Sequence, residues 1–176
     1  DVNQAWDEST AVYGIQALQD AGIELIEQAI PAREHAGLIR LADRFNVPML
    51  ADEAVQDARD GLDLARGGFS GAFALKIAKS GGVLGVLELA HVAQAAGIGL
   101  YGGTLLEGTI GTAASLHAWA TLPEMAWGTE MFGPLLLKDD IVVEPLRYRE
   151  FGVDLPAGPG LGITLDEDKL AHYARK

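Results

Sequence analysis

Four ionisable residues recur at nearly constant intervals in the first half of the chain, each at the end of a short apolar segment. They are separated by 26, 25 and 24 residues and are, in order, Asp1, Glu27, Asp52 and Lys76. In a barrel of parallel strands, equivalent strand ends lie on one face, where active sites are built. We therefore expect three carboxylates and a lysine to meet at one mouth, as in a site for a hard divalent cation beside a proton-transfer group.

The residue types define the chemistry of such a site. Three carboxylates suit Mn²⁺ or Mg²⁺, because these ions prefer octahedral oxygen coordination and keep positions open for water or substrate. A bound ion of this kind stabilises the negative charge that forms when the carbon next to a substrate carboxylate loses a proton. A lysine can act as the acid or base when desolvation lowers its pKa, and we predict this role for Lys76.

Less specific interpretations apply to the neighbouring residues. Lys76 could instead form a structural ion pair with Glu53, and Lys79 is predicted to be solvated because it lies three residues beyond the strand end. The segment Gly102-Gly103-Thr104 is interpreted as a close approach of the backbone to the mouth. A phosphate site is disfavoured there because no glycine-rich fingerprint or P-loop lysine accompanies it.

Composition excludes several classes of function. The chain has 176 residues, 49% of them hydrophobic, which is enough to bury a substantial core. The formal charge of −12 argues against nucleic acid, since no basic stripe could neutralise phosphates. The sequence has no 18-residue uncharged apolar run that would predict a membrane span. The absence of cysteine excludes disulfides and thiolate metal sites.

Apolar strands alternate with helical patterns along the chain, which predicts a parallel α/β fold. Strands are predicted within 1–3, 23–27, 47–52, 72–77, 98–101 and 126–130, and helices over 8–21, 32–45, 54–66, 83–96 and 108–121. About six β/α units do not close an eight-stranded barrel, so two units are expected upstream of Asp1. We predict a partial barrel domain over 1–132.

The pattern changes after the predicted barrel, and 133–176 is predicted to be a tail that packs back on the barrel or on another domain. Within it, 135–143 is expected to be extended, and 156–162 is rich in glycine and proline. Thr164 and Glu167 fit a capping box that opens a last helix ending near Arg175.

Seven segments together carry a resemblance to a known family. They are 1–4, 26–28, 51–53, 74–82, 98–108, 127–130 and 159–167. The chain resembles the muconate cycloisomerase group of the enolase superfamily. The resemblance implies the C-terminal portion of a modified (β/α) TIM barrel, with an N-terminal α+β capping domain and the first barrel strands lying outside this chain.

The resemblance also implies roles for individual residues. Asp1, Glu27 and Asp52 would bind the metal, preferably Mn²⁺, with Mg²⁺ as the alternative. Lys76 would face the substrate from one side, opposite a lysine pair expected on an earlier strand.

Three further residues have implied roles near these groups. Glu130 matches the carboxylate of the last strand and would orient the substrate. Glu53 and Asn3 are expected to support the metal ligands from outside.

The implied function is that of an isomerase, an intramolecular lyase that interconverts cis,cis-muconate, or a chlorinated muconate, and its lactone. Such enzymes act on a small dicarboxylate in aromatic catabolism through catechol, the β-ketoadipate pathway. The resemblance further implies a cytoplasmic homo-oligomer, octameric in relatives. The alternatives are a dipeptide epimerase, an o-succinylbenzoate synthase, an aldolase with a Schiff base on Lys76, and a non-catalytic fragment.

Overall fold

A computed structural model describes residues 1–174, and its centre is a parallel sheet of four strands whose order in space follows their order in the chain. The strands are β1 (Ile26–Glu27), β2 (Met49–Ala51), β3 (Ala72–Leu75) and β4 (Gly99–Gly102). Parallel neighbours need a long crossover connection, and each crossover here contains a helix. The carboxyl ends of all four strands therefore meet at one edge of the sheet, which we call the mouth.

Helices flank the sheet and match the predicted positions. They are α1 (Glu8–Asp20), α2 (His35–Arg44), α3 (Ala58–Arg66), α4 (Val83–Ala96) and α5 (Thr109–Trp119). Asp7 caps α1 by accepting the Thr10 N–H at 2.7 Å, and Asp57 caps α3 in the same way. None of the helices in residues 1–174 is long and apolar enough to cross a membrane.

The centre of the sheet is its most buried part. All four residues of β3 have no exposed surface, and Phe73 and Leu75 join the main core beneath the helices. The sequence of a parallel strand that is covered on both faces is a continuous apolar run, not an alternation of apolar and polar residues. This confirms the parallel α/β prediction.

Two of the six predicted strands are not regular strands. Residues 1–4 run beside β1, with Val2 N donating to Glu27 O at 3.1 Å, but Asn3 adopts a left-handed φ of 48° that breaks the ladder. The segment 126–130 makes a single parallel bridge, between Thr129 and Gly102. The sheet thus has four strands, with an irregular segment beside each outer strand.

The tail differs from its prediction in detail. A 3-10 helix at Gly133–Leu136 begins the segment expected to be extended, and a small antiparallel hairpin follows, formed by β5 (Tyr148–Arg149) and β6 (Gly152–Val153). The last helix is α6 (Glu167–Tyr173). Its cap is Asp166, which accepts the Lys169 N–H, so the prediction of a capping box from Thr164 is wrong. The predicted end at Arg175 lies outside the described residues.

The tail is attached to α5 and to the mouth by polar contacts. Asp140 Oδ2 accepts the N–H of Thr109 at 2.8 Å, which satisfies a free donor in the first turn of α5. Tyr148 donates its hydroxyl to Met131 O at 2.6 Å. These contacts hold Asp140 against the start of α5 and join Tyr148 to the segment that follows Glu130.

Candidate active site

The mouth contains a buried cluster of one carboxylate and two ammonium groups. Asp52 directly follows β2 and Lys76 directly follows β3, so the parallel pairing of these strands brings their side chains together. Lys76 Nζ donates to Asp52 Oδ2. Lys79 Nζ donates to Asp52 Oδ1 at 2.6 Å and to Asp52 O at 2.7 Å. All three side chains are at most 12% exposed.

Burial and charge act in opposite directions on this cluster. Burial alone would raise the pKa of Asp52, but the two ammonium groups outweigh it and hold that pKa below its usual value. Burial lowers the pKa of Lys79, and Asp52 only partly offsets this. The cluster is therefore a desolvated ion network in which Asp52 stays ionised.

Glu27, at the end of β1, has the opposite environment. Its pKa is raised to about 7, first by burial and then by repulsion from Asp52, with a smaller contribution from Glu130. Lys76 opposes the rise without cancelling it. Glu27 and Asp52 thus form a pair of neighbouring carboxylates on adjacent strands, one of which takes up a proton near neutral pH.

Asp1 is placed beside this pair but is exposed. Its Oδ1 accepts the main-chain N–H of Asn3 at 2.8 Å. Because Val2 pairs with the backbone of Glu27, Asp1 lies beside the carboxyl end of β1. Within residues 1–174, no group of three His, Cys, Asp or Glu side chains is arranged to hold a metal ion.

The far side of the mouth is formed by Tyr101 on β4 and by Glu130, which follows the Thr129 bridge. Glu130 N donates to Gly102 O at 3.0 Å, which places the residue over the end of β4. Burial, followed by the charge of Glu130, raises the pKa of Tyr101. Tyr101 therefore stays protonated and can act only as a neutral hydrogen-bond donor or acceptor beside the carboxylate.

Comparison of the chain with known proteins identifies its family. Residues 1–169 match the family model described as "Enolase C-terminal domain-like". The chain belongs to this enolase family. Its parallel α/β sheet, with ionisable groups at the strand ends, is the architecture expected of the superfamily's barrel domain.

The individual relatives of this enolase-family chain are named as muconate or chloromuconate cycloisomerases. It is 54% identical over 176 residues to Muconate cycloisomerase 1 of Pseudomonas putida, covering 100% of the chain and 47% of that protein. It is 46% identical over 175 residues to a chloromuconate cycloisomerase of Cupriavidus necator, covering 99% of the chain and 47% of that protein.

A solved structure agrees closely with the fold. The muconate lactonizing enzyme from Klebsiella pneumoniae superposes with a TM-score of 0.97 at 61% identity, covering 100% of this chain and 49% of that one. The predicted resemblance and fold class are therefore confirmed. The chain spans about half the length of the relatives it matches.

The structure brings together most of the residues singled out from the sequence. Glu27, Asp52, Lys76 and Glu130 share the mouth, and Asp1 lies at its border. Of the two predicted supporting residues, Asn3 contacts Asp1 through its main chain, and Glu53 accepts a hydrogen bond from Gln4 at 3.0 Å. The proposed ion pair of Lys76 with Glu53 is not formed, because Lys76 reaches Asp52 instead.

The prediction for Lys79 is wrong. A turn in which Ser80 N donates to Lys76 O directs Lys79 back over the mouth, where it is buried rather than solvated. The spacing of three residues from Lys76 was the available signal, since a single helical turn returns the side chain to the same side.

The interpretation of the glycine segment is confirmed. A Cβ at Gly103 would lie 2.6 Å from Lys76 Cε, so any larger residue here would require the flexible lysine stem to move.

The donor set fits a divalent cation in its chemistry. Glu27 and Asp52 repel one another in a desolvated site, and a dication between them would relieve that repulsion. Both oxygens of Asp52 are bonded to lysines, so a cation held by Asp52 would replace at least one ammonium contact. Asp1 Oδ1 already accepts the Asn3 N–H, so a cation held by that oxygen would compete with this contact.

Proposed function

We propose that this chain carries the metal-binding and part of the catalytic apparatus of a muconate or chloromuconate cycloisomerase. The observation that supports it most directly is the buried Lys76 ammonium beside Asp52 at the ends of adjacent strands. The similarity to proteins named muconate and chloromuconate cycloisomerase extends over the whole chain. Because the chain spans about half of those proteins, the activity of the whole enzyme is part of the proposal.

Three carboxylates would hold the cation: Asp1, Glu27 and Asp52. Oxygen-only ligands favour Mn²⁺ or Mg²⁺, and we propose Mn²⁺ as the preferred ion. When bound, the cation would bind one substrate carboxylate and stabilise negative charge at the neighbouring carbon.

The remaining chemistry belongs to the side chains around the mouth. In the closing direction, an oxygen of the second substrate carboxylate forms the lactone C–O bond, the C=C π bond breaks, and the carbon next to the first carboxylate gains a proton. Lys76 would hold or move the proton on its side of the substrate, in a site where burial excludes water. Glu130, beside the neutral Tyr101, would orient the substrate.

The biological setting is proposed from the resemblance to the muconate cycloisomerase group and from the charge of the chain. A small dicarboxylate would be the substrate, in the catabolism of aromatic compounds through catechol. We further propose a cytoplasmic homo-oligomer that interacts with neither nucleic acid nor membranes, in keeping with the formal charge of −12.

Lactone formation from cis,cis-muconate by the intact polypeptide, including the part that precedes this chain in its relatives, tests the proposal. Activity should be lost with EDTA and regained with Mn²⁺. The variant Lys76→Met should lose at least a hundredfold in kcat, since general acid–base groups contribute about 10²–10⁴-fold. Lys138→Met serves as the matched control, because Lys138 is exposed in the tail, and should retain full activity.

The other outcomes distinguish the alternatives. Turnover of a chloromuconate in preference to muconate would assign the chlorinated substrate. Metal binding without turnover of either would reassign the site to a dipeptide epimerase or an o-succinylbenzoate synthase. Trapping of Lys76 by borohydride in the presence of a carbonyl substrate, without any metal requirement, would indicate an aldolase instead.

A further inference from the structure

Gln28 is a fully buried polar residue directly after Glu27, and its backbone is strained. It has no exposed surface and a left-handed φ of 35°. A residue other than glycine adopts this conformation at an energetic cost, and it persists only where the surrounding structure enforces it. In this conformation the Gln28 side chain reaches the backbone that follows β2.

The Gln28 amide makes three hydrogen bonds, all to the backbone of two loops. Its Oε1 accepts the N–H of Asp52 at 2.9 Å and the N–H of Ala54 at 3.1 Å. Its Nε2 donates to Ile30 O at 2.9 Å. One side chain from the β1 loop therefore binds the main chain on both sides of Glu53 in the β2 loop.

The contacts of Asp52 complete the arrangement. Its N–H is held by Gln28, its carbonyl accepts from Lys79 Nζ at 2.7 Å and from Val55 N at 3.0 Å, and its carboxylate is held by the two lysines. If a cation replaced an ammonium on the carboxylate, the contact from Gln28 to the main chain would remain. Gln28 is thus placed to fix Asp52 in both states.

A second glutamine repeats this arrangement one loop earlier. Gln4 also has a left-handed φ, 63°, and its N–H donates to Gln28 O at 2.8 Å. Gln4 Oε1 accepts the Ala32 N–H at 2.8 Å, and its Nε2 donates to Glu53 Oε1 at 3.0 Å. The loops that carry Asp1, Glu27 and Asp52 are therefore joined in series by two amide side chains.

We propose that Gln28, supported by Gln4, is a positioning residue for the metal site, which holds the Asp52 loop in register with Glu27. This inference rests on the proposed function, because it assigns Gln28 to the same cation. Glutamine suits the position because one amide supplies an acceptor for two N–H groups and a donor for a carbonyl. Asparagine is one methylene shorter, and methionine keeps the shape without the polar atoms.

A matched control exists at the opposite end of the same strand. Gln19 Oε1 also accepts two consecutive N–H groups, those of Asn46 at 2.9 Å and Val47 at 3.2 Å, where the chain enters β2. Gln19→Met and Gln28→Met therefore remove the same kind of contact from the two ends of β2, and only the second lies at the mouth.

The test is the affinity of the metal-free protein for Mn²⁺, measured by calorimetric titration. Gln28→Met should weaken binding by about 10–100-fold, the usual effect of removing a group that orients a ligand. Gln19→Met should leave the Kd within about twofold, even if it lowers stability. Gln28→Asn provides a milder variant in case Gln28→Met does not fold, and should weaken binding by about tenfold.

Hydrogen exchange separates failure of the inference from failure of the proposed function. In Gln28→Met or Gln28→Asn, the Asp52 and Ala54 amides should exchange at least tenfold faster, and in Gln19→Met they should not. Unchanged Mn²⁺ affinity in the Gln28 variants would overturn the inference while leaving the metal function intact. A parent protein that binds neither Mn²⁺ nor Mg²⁺ would overturn the proposed function and, with it, a metal-positioning role for Gln28.

Discussion

Replacing Lys79 with methionine tests the view that the ion cluster at the mouth is a buried network. The change removes two hydrogen bonds, to Asp52 Oδ1 and Asp52 O, from side chains that are 12% and 10% exposed. Removing one member of a buried pair costs about 3–5 kcal/mol because the remaining charge is left uncompensated. Since Lys76 still binds Asp52, we expect a loss near the lower limit, about 3 kcal/mol in the free energy of unfolding.

The assay is urea denaturation of the metal-free protein near neutral pH, with Lys169→Met as the control. Lys169 makes a bond of the same length to Asp139, 2.6 Å, but those side chains are 36% and 40% exposed. An exposed pair contributes about 0–1 kcal/mol. Equal losses in the two variants, or a loss below about 1 kcal/mol for Lys79→Met, would refute the claim that burial makes the Lys79 contact strong.

Three further predictions concern a titrating carboxylate, a close backbone approach and a tail contact. Because the pKa of Glu27 is raised from 4.5 to about 7, its contribution to stability is fully present below pH 4.5 and lost as the pH rises to about 7. The difference in unfolding free energy between the parent and Glu27→Gln should follow that pH range, and Mn²⁺ affinity should rise with pH over it. Gly103→Ala should reduce kcat more than stability, because the new Cβ displaces the flexible stem of Lys76; activity and urea denaturation measure the two effects. Asp140→Ala should cost about 1 kcal/mol in urea denaturation by freeing the Thr109 N–H, with no change in Mn²⁺ affinity.

The sequence was sufficient for the parts of the fold that depend on local patterns. A helix is found at each of the five positions predicted between the strands, because amphipathic spacing and capping residues such as Asp57 act within a few residues. The sequence was insufficient where pairing between distant strands decides the structure. The segments 1–3 and 126–130 have strand-like composition, but turns at Asn3 and Gly128, both with left-handed φ, interrupt them.

The same distinction applies to the site. Equal spacing placed Glu27, Asp52 and Lys76 at the ends of adjacent strands, since one β/α unit sets the interval. The roles of Lys79 and Gln28 depend on where a turn and a strained residue direct a side chain, and this is fixed by packing between loops. A buried glutamine cannot be told from an exposed one by its position after a strand.

The tail is the part in which local signals misled most. Thr164 and Glu167 satisfy the capping-box pattern, yet Asp166 caps α6 because residue 165 is held in a bridge to Val142. The bridge between Val142 and Leu165, which are more than twenty residues apart in sequence, therefore decided whether Thr164 or Asp166 caps α6.

The agreement between strand order in space and in the chain has a consequence for how the protein assembles during synthesis. Each strand can pair with its predecessor once it has left the ribosome, because strands that are neighbours in space are consecutive in the chain. Glu27 and Asp52 are nevertheless made before Lys76 and Lys79, which compensate the buried charge of Asp52. Until Lys76 and Lys79 have been made, the two ammonium groups that contact Asp52 are missing, and burying an unpaired carboxylate is strongly unfavourable. The buried ion network around Asp52 can therefore form only after Lys79 has been translated.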